Sequence, residues 1–243
     1  SGGRLSYAGG VFNGGADGGS ALDGDTNGAK DLIAYVEYRP FRTASSRLHA
    51  LEGLMLRLAG TTGVEDGPLL PLRTSVLQPV FTYAAGVVAD GRRRRLSPSL
   101  AYWHGPVGLW AEHYQTTQTL AHAGTHVEST NTGWAVTGTY MLTGERATPG
   151  SVRPRRPLDP EAGHWGALQL VARYSALTVD ADAFAAGLVG PGSSRHSAQA
   201  AIGLNWHLTS VVKHVVMFEH TRFDGPAPRR SEPALMVRTQ VAF

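Results

Sequence analysis

Two lysines, Lys30 and Lys213, and twenty arginines carry the positive charge of this 243-residue sequence. Arginine presents a rigid fork of N–H donors that matches the paired oxygens of phosphate or carboxylate, so this choice of cation suits oxyanions. Four cations, Arg57, Arg173, Lys213 and Arg238, fall on the polar phase of strictly alternating segments, beside Gln169, Asn205, His207 and Gln240. Residues of one phase share a face of a strand. The four would then form a basic wall that concentrates small anions and replaces part of their hydration. Binding there has to stay weak if the anions are to leave. The competing expectation is that these cations pair with Glu37, Glu112 and Glu219 on the same surface. A second feature, Arg92, Arg93, Arg94 and Arg95, follows Asp90-Gly91 at the end of a connection from Thr61 to Arg95. It suits an anion-collecting constriction or a solvated loop. Arg153, Arg155 and Arg156 cluster among prolines, placed either to guide anions or simply to be solvated.

Other chemistries find little support. The net charge is only +3, and no helix-turn-helix, zinc-finger or aromatic RNA-binding motif accompanies the arginines, so no nucleic-acid partner is expected. The ten histidines are scattered; His214 and His220 share a strand phase without a third ligand at zinc spacing. Asp180, Asp182, His196 and Asp224 match no catalytic motif, and Gly9 to Gly15 lacks the strand-to-helix setting of a phosphate-binding loop. Neither an enzyme, a metal site nor a cofactor is expected. Cysteine is absent, as suits a chain crossing an oxidising compartment unfolded.

The elements that must carry these side chains read as strands. No apolar run approaches the roughly 18 residues of a membrane-spanning helix. Instead Leu235, Val237, Thr239, Val241 and Phe243 alternate with Met236, Arg238, Gln240 and Ala242. Ile202, Leu204, Trp206 and Leu208 repeat the pattern, as do Leu168, Leu170, Ala172 and Tyr174; Trp134, Val136, Gly138, Tyr140 and Leu142; and Leu54, Leu56 and Leu58. Ten strands are expected, over 4–13, 29–39, 50–60, 96–104, 107–119, 132–144, 165–177, 197–209, 211–222 and 234–243. Lengths near ten residues fit tilted strands that cross a bilayer. The apolar phase would face lipid, with Trp134, Tyr140, Trp165, Tyr174 and Trp206 in interfacial girdles. Alternation alone also fits a soluble sandwich. With the last strand descending to the periplasm, the long connections 14–28, 61–95 and 178–196 are extracellular, while His104-Gly105-Pro106 and Thr209-Ser210 make tight opposite turns. The connection Glu145 to His164 is oddly long for that side: a periplasmic extension or a sign of wrong register.

The ordered segments WAVTGTYMLTGE (134–145), GALQLVARY (166–174), GLNWHL (203–208) and the ending RTQVAF (238–243) resemble the phosphate-selective porins O and P. SYAGGVFNG (6–14), GRRRRLSP (91–98) and GPVGLWAE (105–112) extend the resemblance over nearly the whole chain. It implies an all-β, antiparallel transmembrane β-barrel of the bacterial outer membrane, usually a homotrimer, with 16 strands, inward-folded loops and a basic path for phosphate or other small anions. Residues 1–243 would form a single barrel domain, the C-terminal portion of a longer chain, because ten strands alone would close a barrel nearly filled by its own side chains. Outer-membrane lipid and lipopolysaccharide are further expected partners, the latter through Arg92 to Arg95. The alternative is a non-conducting structural or binding barrel whose loops plug the lumen.

Overall fold

A computed structural model describes residues 3–14, 28–42, 46–224 and 231–242. Phe243 and most of the 14–28 connection lie outside the described residues. Among the described residues, twelve strands occur in chain order: β1 (Leu5–Asn13), β2 (Lys30–Tyr38), β3 (Met55–Pro68), β4 (Leu72–Arg73), β5 (Pro79–Phe81), β6 (Val88–His104), β7 (Val107–His122), β8 (Thr125–Met141), β9 (Ala167–Thr178), β10 (His196–His207), β11 (Val212–Phe223) and β12 (Ser231–Val241). Ten of them form one antiparallel sheet in the order β1-β2-β3-β6-β7-β8-β9-β10-β11-β12, and β4-β5 form a small separate ribbon. The fold is all-β, with a 3-10 turn over Ser46–Leu51 and, among the described residues, one short helix, α1 (Ala181–Ala185). No helix among the described residues is long and apolar enough to cross a membrane. The sheet is open: β1 and β12 are its two edges.

Register fixes the two faces. Tyr140 opposes Leu170, which opposes Leu204, then Val216, then Val237, so one apolar row crosses five strands. Leu5, Tyr38, Leu56, Leu100, Leu109 and Gly138 continue this face to the other edge. Its side chains are bare: Leu235 is 68% exposed and Val237 70%. An apolar surface this extensive has to be covered by something other than water. Aromatic groups stand along it, with Trp134 against Tyr174 at 5.3 Å and the Trp206 indole N–H donating to the Trp165 carbonyl at 2.5 Å.

The opposite, inner face holds the small hydrophobic cores, and these lie at its two ends. At one end Val80, Phe81 and Val179 pack with Leu177 and Phe223, and Val87, Leu120, Ala183 and Leu188 pack with Val127. The connection 69–87 thus folds over the inner face, as the family resemblance implied for an inward loop. Helix α1 belongs to the same cap; Asp180 accepts the Asp182 N–H at 3.0 Å and terminates the backbone at its start. At the other end Met141, Ala147, Val152 and Ala167 pack with Trp103. The long connection after β8 therefore folds back onto the sheet, held by Ala147 N–H to Gly105 O and Leu158 N–H to Leu208 O. Its length reflects this packing, and the strand phases on either side of it are as the alternation gave them.

Several strand boundaries differ from the sequence expectation. β6 begins at Val88 and β3 ends at Pro68, so the connection expected over 61–95 contracts to 69–87. β3 starts at Met55, leaving Leu54 outside the strand. β7 and β8 continue to a two-residue turn at Ala123 (φ 49°) and Gly124 (φ 82°), closed by the pair His122–Thr125. Both turn residues at positive φ match the twist of the flanking strands. On the opposite side, Thr209 Oγ1 accepts the amides of Val211 and Val212 and closes the short β10–β11 turn.

Candidate functional site, the polar inner face

Between the two caps the inner face is polar. Arg57 of β3, Arg173 of β9, Lys213 of β11 and Arg238 of β12 all lie on it, as the registers of their strands require. Arg57 opposes Glu37 and Ser99, and its guanidinium carbon sits 4.2 Å from the centre of the Tyr35 ring. Arg173 opposes Thr137 and Ala201 and is exposed. Lys213 opposes His207 and Gln240, and Arg238 opposes Val215. The face also carries Glu37, Glu112 and Glu219, yet these carboxylates are engaged elsewhere. Glu37 accepts Arg39 Nε at 3.0 Å. Glu112 accepts the Ser97 hydroxyl at 2.5 Å and the Trp110 indole N–H at 3.5 Å. Glu219 accepts the Ser75 hydroxyl and Gln199 Nε2, the latter at 3.0 Å. Among the described residues, Arg57, Arg173, Lys213 and Arg238 make no ion pair with any of the three.

The run Arg92 to Arg95 lies in strand β6 rather than in a loop, and alternation splits it. Arg93 points inward and is buried, 5% exposed, between Asp31 at 3.0 Å and Glu65. Gly63 opposes Arg93, and a β-carbon there would run into the Asp31 carboxylate. Arg93 is therefore a structural cation between β2, β3 and β6. Arg95 shares the inner face, opposite Thr61 and Thr116. Arg92 and Arg94 point to the outer face, where Arg94 opposes Thr62 and Thr117. A lipid-facing arginine costs about 2–4 kcal/mol at the middle of a bilayer and about 0–1 near its surface. These two stand where the apolar band ends, since Gln115, Thr117 and Thr119 of β7 and Thr130 of β8 continue the outer face beyond Leu96.

Sequence reasoning missed the contact between the inward loop and the far wall. Ser75, just after β4, reaches Glu219 on β11 and receives the amide of Gln199 on β10 at 3.1 Å. Gln199 also donates to Thr221 Oγ1 at 3.2 Å. Arg73, Thr74, Ser175 and Ser197 complete a small polar recess of about 160 Å³ there. The phases of Gln199, Glu219 and Thr221 were readable; nothing in the sequence tied Ser75 to them. At the other end, Lys213, His207 and Gln240 border a cleft of about 340 Å³ with Gly150, Ser151 and Val152 of the long connection. Asn205 Nδ2 donates to Gln169 Oε1 at 2.8 Å beside it. Glu145, in that connection, is buried. Burial would push its carboxyl up, but the Thr143 hydroxyl, the Arg155 amide and the Arg155 charge together hold it below the ordinary glutamate value. The cluster Arg153, Arg155 and Arg156 thus includes one member tied to local structure.

One face of the antiparallel sheet is therefore apolar and bare, while the other is polar, cationic in places and covered at both ends. That combination suits a wall between lipid and an aqueous passage. A family model described as phosphate-selective porin O and P matches residues 79–243, from β5 to the end of the chain. No curated protein matches closely enough to add a relative.

Proposed function

The chain belongs to the phosphate-selective porin O and P family, and from that premise we propose that it walls an outer-membrane pore for passive diffusion of small anions, phosphate or related oxyanions among them. The observation that carries this reading is the set Arg57, Arg173, Lys213 and Arg238 on one face, with the neighbouring carboxylates bonded to other partners. Lys213 and Arg238 are the strongest part of it, because the inward positions facing them across β11 and β12 are Gln240 and Val215, not carboxylates. A small anion passing there meets guanidinium and ammonium donors in an environment of low polarisability, where attraction is stronger than in bulk water. Arg95 adds to the wall nearer the inward loop. Arg93 holds the scaffold, and Arg92 and Arg94 face outward.

Residues 1–243 act in this reading as one domain, part of a 16-stranded barrel that assembles as a homotrimer. The two free sheet edges support a larger closed barrel, because unpaired backbone groups at a sheet edge are untenable in hydrocarbon. The decisive measurement is the reversal potential of the full-length protein in a planar bilayer under a chloride gradient, followed by addition of phosphate. Anion selectivity, with current reduced by phosphate, is the expected result. Cation selectivity in the wild type would sink the proposal. A second reading, a plugged barrel that binds without conducting, is favoured by the two connections folded over the inner face; it predicts no current at all.

A further inference from the structure

The outer face carries a groove of about 930 Å³ where β1, β2, β3 and β6 adjoin. Its floor is Gly9, Ala34 and Gly60, which oppose one another in register and leave the backbone uncovered. Val11 and Leu32 form one wall, Val36 and Leu58 the other. At the β6–β7 end the lining becomes mixed: Leu96 continues the aliphatic floor, while Arg94, Gln115 and Thr117, with Thr62 of β3, add polar groups beside it. Among the described residues Arg94 has no ion-pair partner, and Arg92 lies two positions further along the same face. One end of the groove is thus aliphatic, and the other offers a guanidinium and hydrogen-bonding groups at the limit of the apolar band. A smooth barrel exterior needs neither the depression nor the charge.

We propose that this groove is a binding site for a phosphorylated glycolipid of the outer leaflet, the lipid A part of lipopolysaccharide, with an acyl chain over Gly60, Ala34 and Gly9 and a phosphate on Arg94. The amphipathic lining selects this occupant. A protein partner would not need an aliphatic trough ending in a cation, whereas a lipid phosphate supplies the complementary charge and its chain the complementary shape. The inference rests on the reading of the bare apolar face as lipid-facing, but not on conduction.

The test uses detergent-purified, delipidated full-length protein titrated with bis-phosphorylated lipid A and, separately, with dephosphorylated lipid A, bound lipid being counted by native mass spectrometry. Wild type is expected to hold the phosphorylated lipid at least tenfold more tightly than Arg94→Ala does. Ala34→Phe, which fills the trough, is expected to match that loss, while the inner-face variant Arg173→Ala retains wild-type binding. Should Ala34→Phe fail to fold, Arg94→Ala decides, because it alters only an exposed side chain. Equal binding by wild type and Arg94→Ala, or equal binding of the two lipids, would overturn the site. Bilayer conductance of the same preparations reads the pore separately: a conducting protein without lipid selectivity overturns the groove alone, and a lipid-selective protein without current overturns the pore alone.

Discussion

Four arginines adjacent in sequence have three different surroundings, which shows how little residue type settles by itself. Arg93 is enclosed by Asp31 and Glu65, Arg95 lies on the inner face, and Arg92 and Arg94 lie on the outer face. Removing one member of a buried ion cluster leaves the others charged and unsolvated, a loss of about 3–5 kcal/mol. Arg93→Ala should therefore lower the stability of the folded protein to urea by that order, with Gly63→Ala acting in the same direction by displacing Asp31. Arg173→Ala removes an exposed cation and should shift stability by no more than about 0.5 kcal/mol. Its effect should appear instead as reduced anion preference in the reversal potential. If the selectivity of Arg57→Ala, Arg173→Ala, Lys213→Ala and Arg238→Ala all equals that of wild type, the basic wall has no part in permeation. The phases of these residues were legible, because alternation is a local property of a strand. The ion cluster was not, since Asp31, Glu65 and Arg93 meet only through the pairing of three strands.

At the scale of elements, sequence periodicity located the ten main strands and misjudged where several begin and end. β6, β7 and β8 run 16 or 17 residues, well past the apolar band. Their outer ends are polar on the outer face, so hydrophobic alternation fades there while backbone pairing continues. The turn at Ala123-Gly124 was hidden for a related reason: Ala at positive φ is uncommon, and the usual Asn-Gly or Asp-Gly signal is absent. The long connection after β8 yields a pH prediction. Glu145 has a folded-state pKa below its unfolded value, so its contribution is complete above the unfolded value of about 4.3 and is lost as pH falls through the lowered folded one. Hydrogen exchange of amides 146–164 in wild type should accelerate, relative to Glu145→Gln at the same pH, only as the protein is acidified below about pH 4. Identical acid responses in the two proteins would remove Glu145 as the anchor.

At the scale of the whole molecule, the inward loop crosses from β3 to the β9–β11 part of the inner face. It leaves β3, packs Phe81 against Val179, touches Glu219 and Gln199 through Ser75, and returns to β6. A loop fastened to the opposite wall narrows whatever passage the sheet encloses. Replacing residues 70–80 by a short Gly-Ser linker should raise single-channel conductance, and Ser75→Ala should give a noisier open current of similar mean. Conductance unchanged by loop replacement would place the narrowest point elsewhere, with the cleft beside Lys213 the next candidate. By itself the sequence located the ten main strands, their two chemically distinct faces and the phase of Arg57, Arg173, Lys213 and Arg238, because period-two alternation needs only neighbouring residues. Only the tertiary structure decided which carboxylates are already occupied, that the arginine run is divided between faces, and that both ends of the polar face are capped. Those outcomes depend on strand register and on loops returning to distant strands, and neither leaves a periodic trace in the chain.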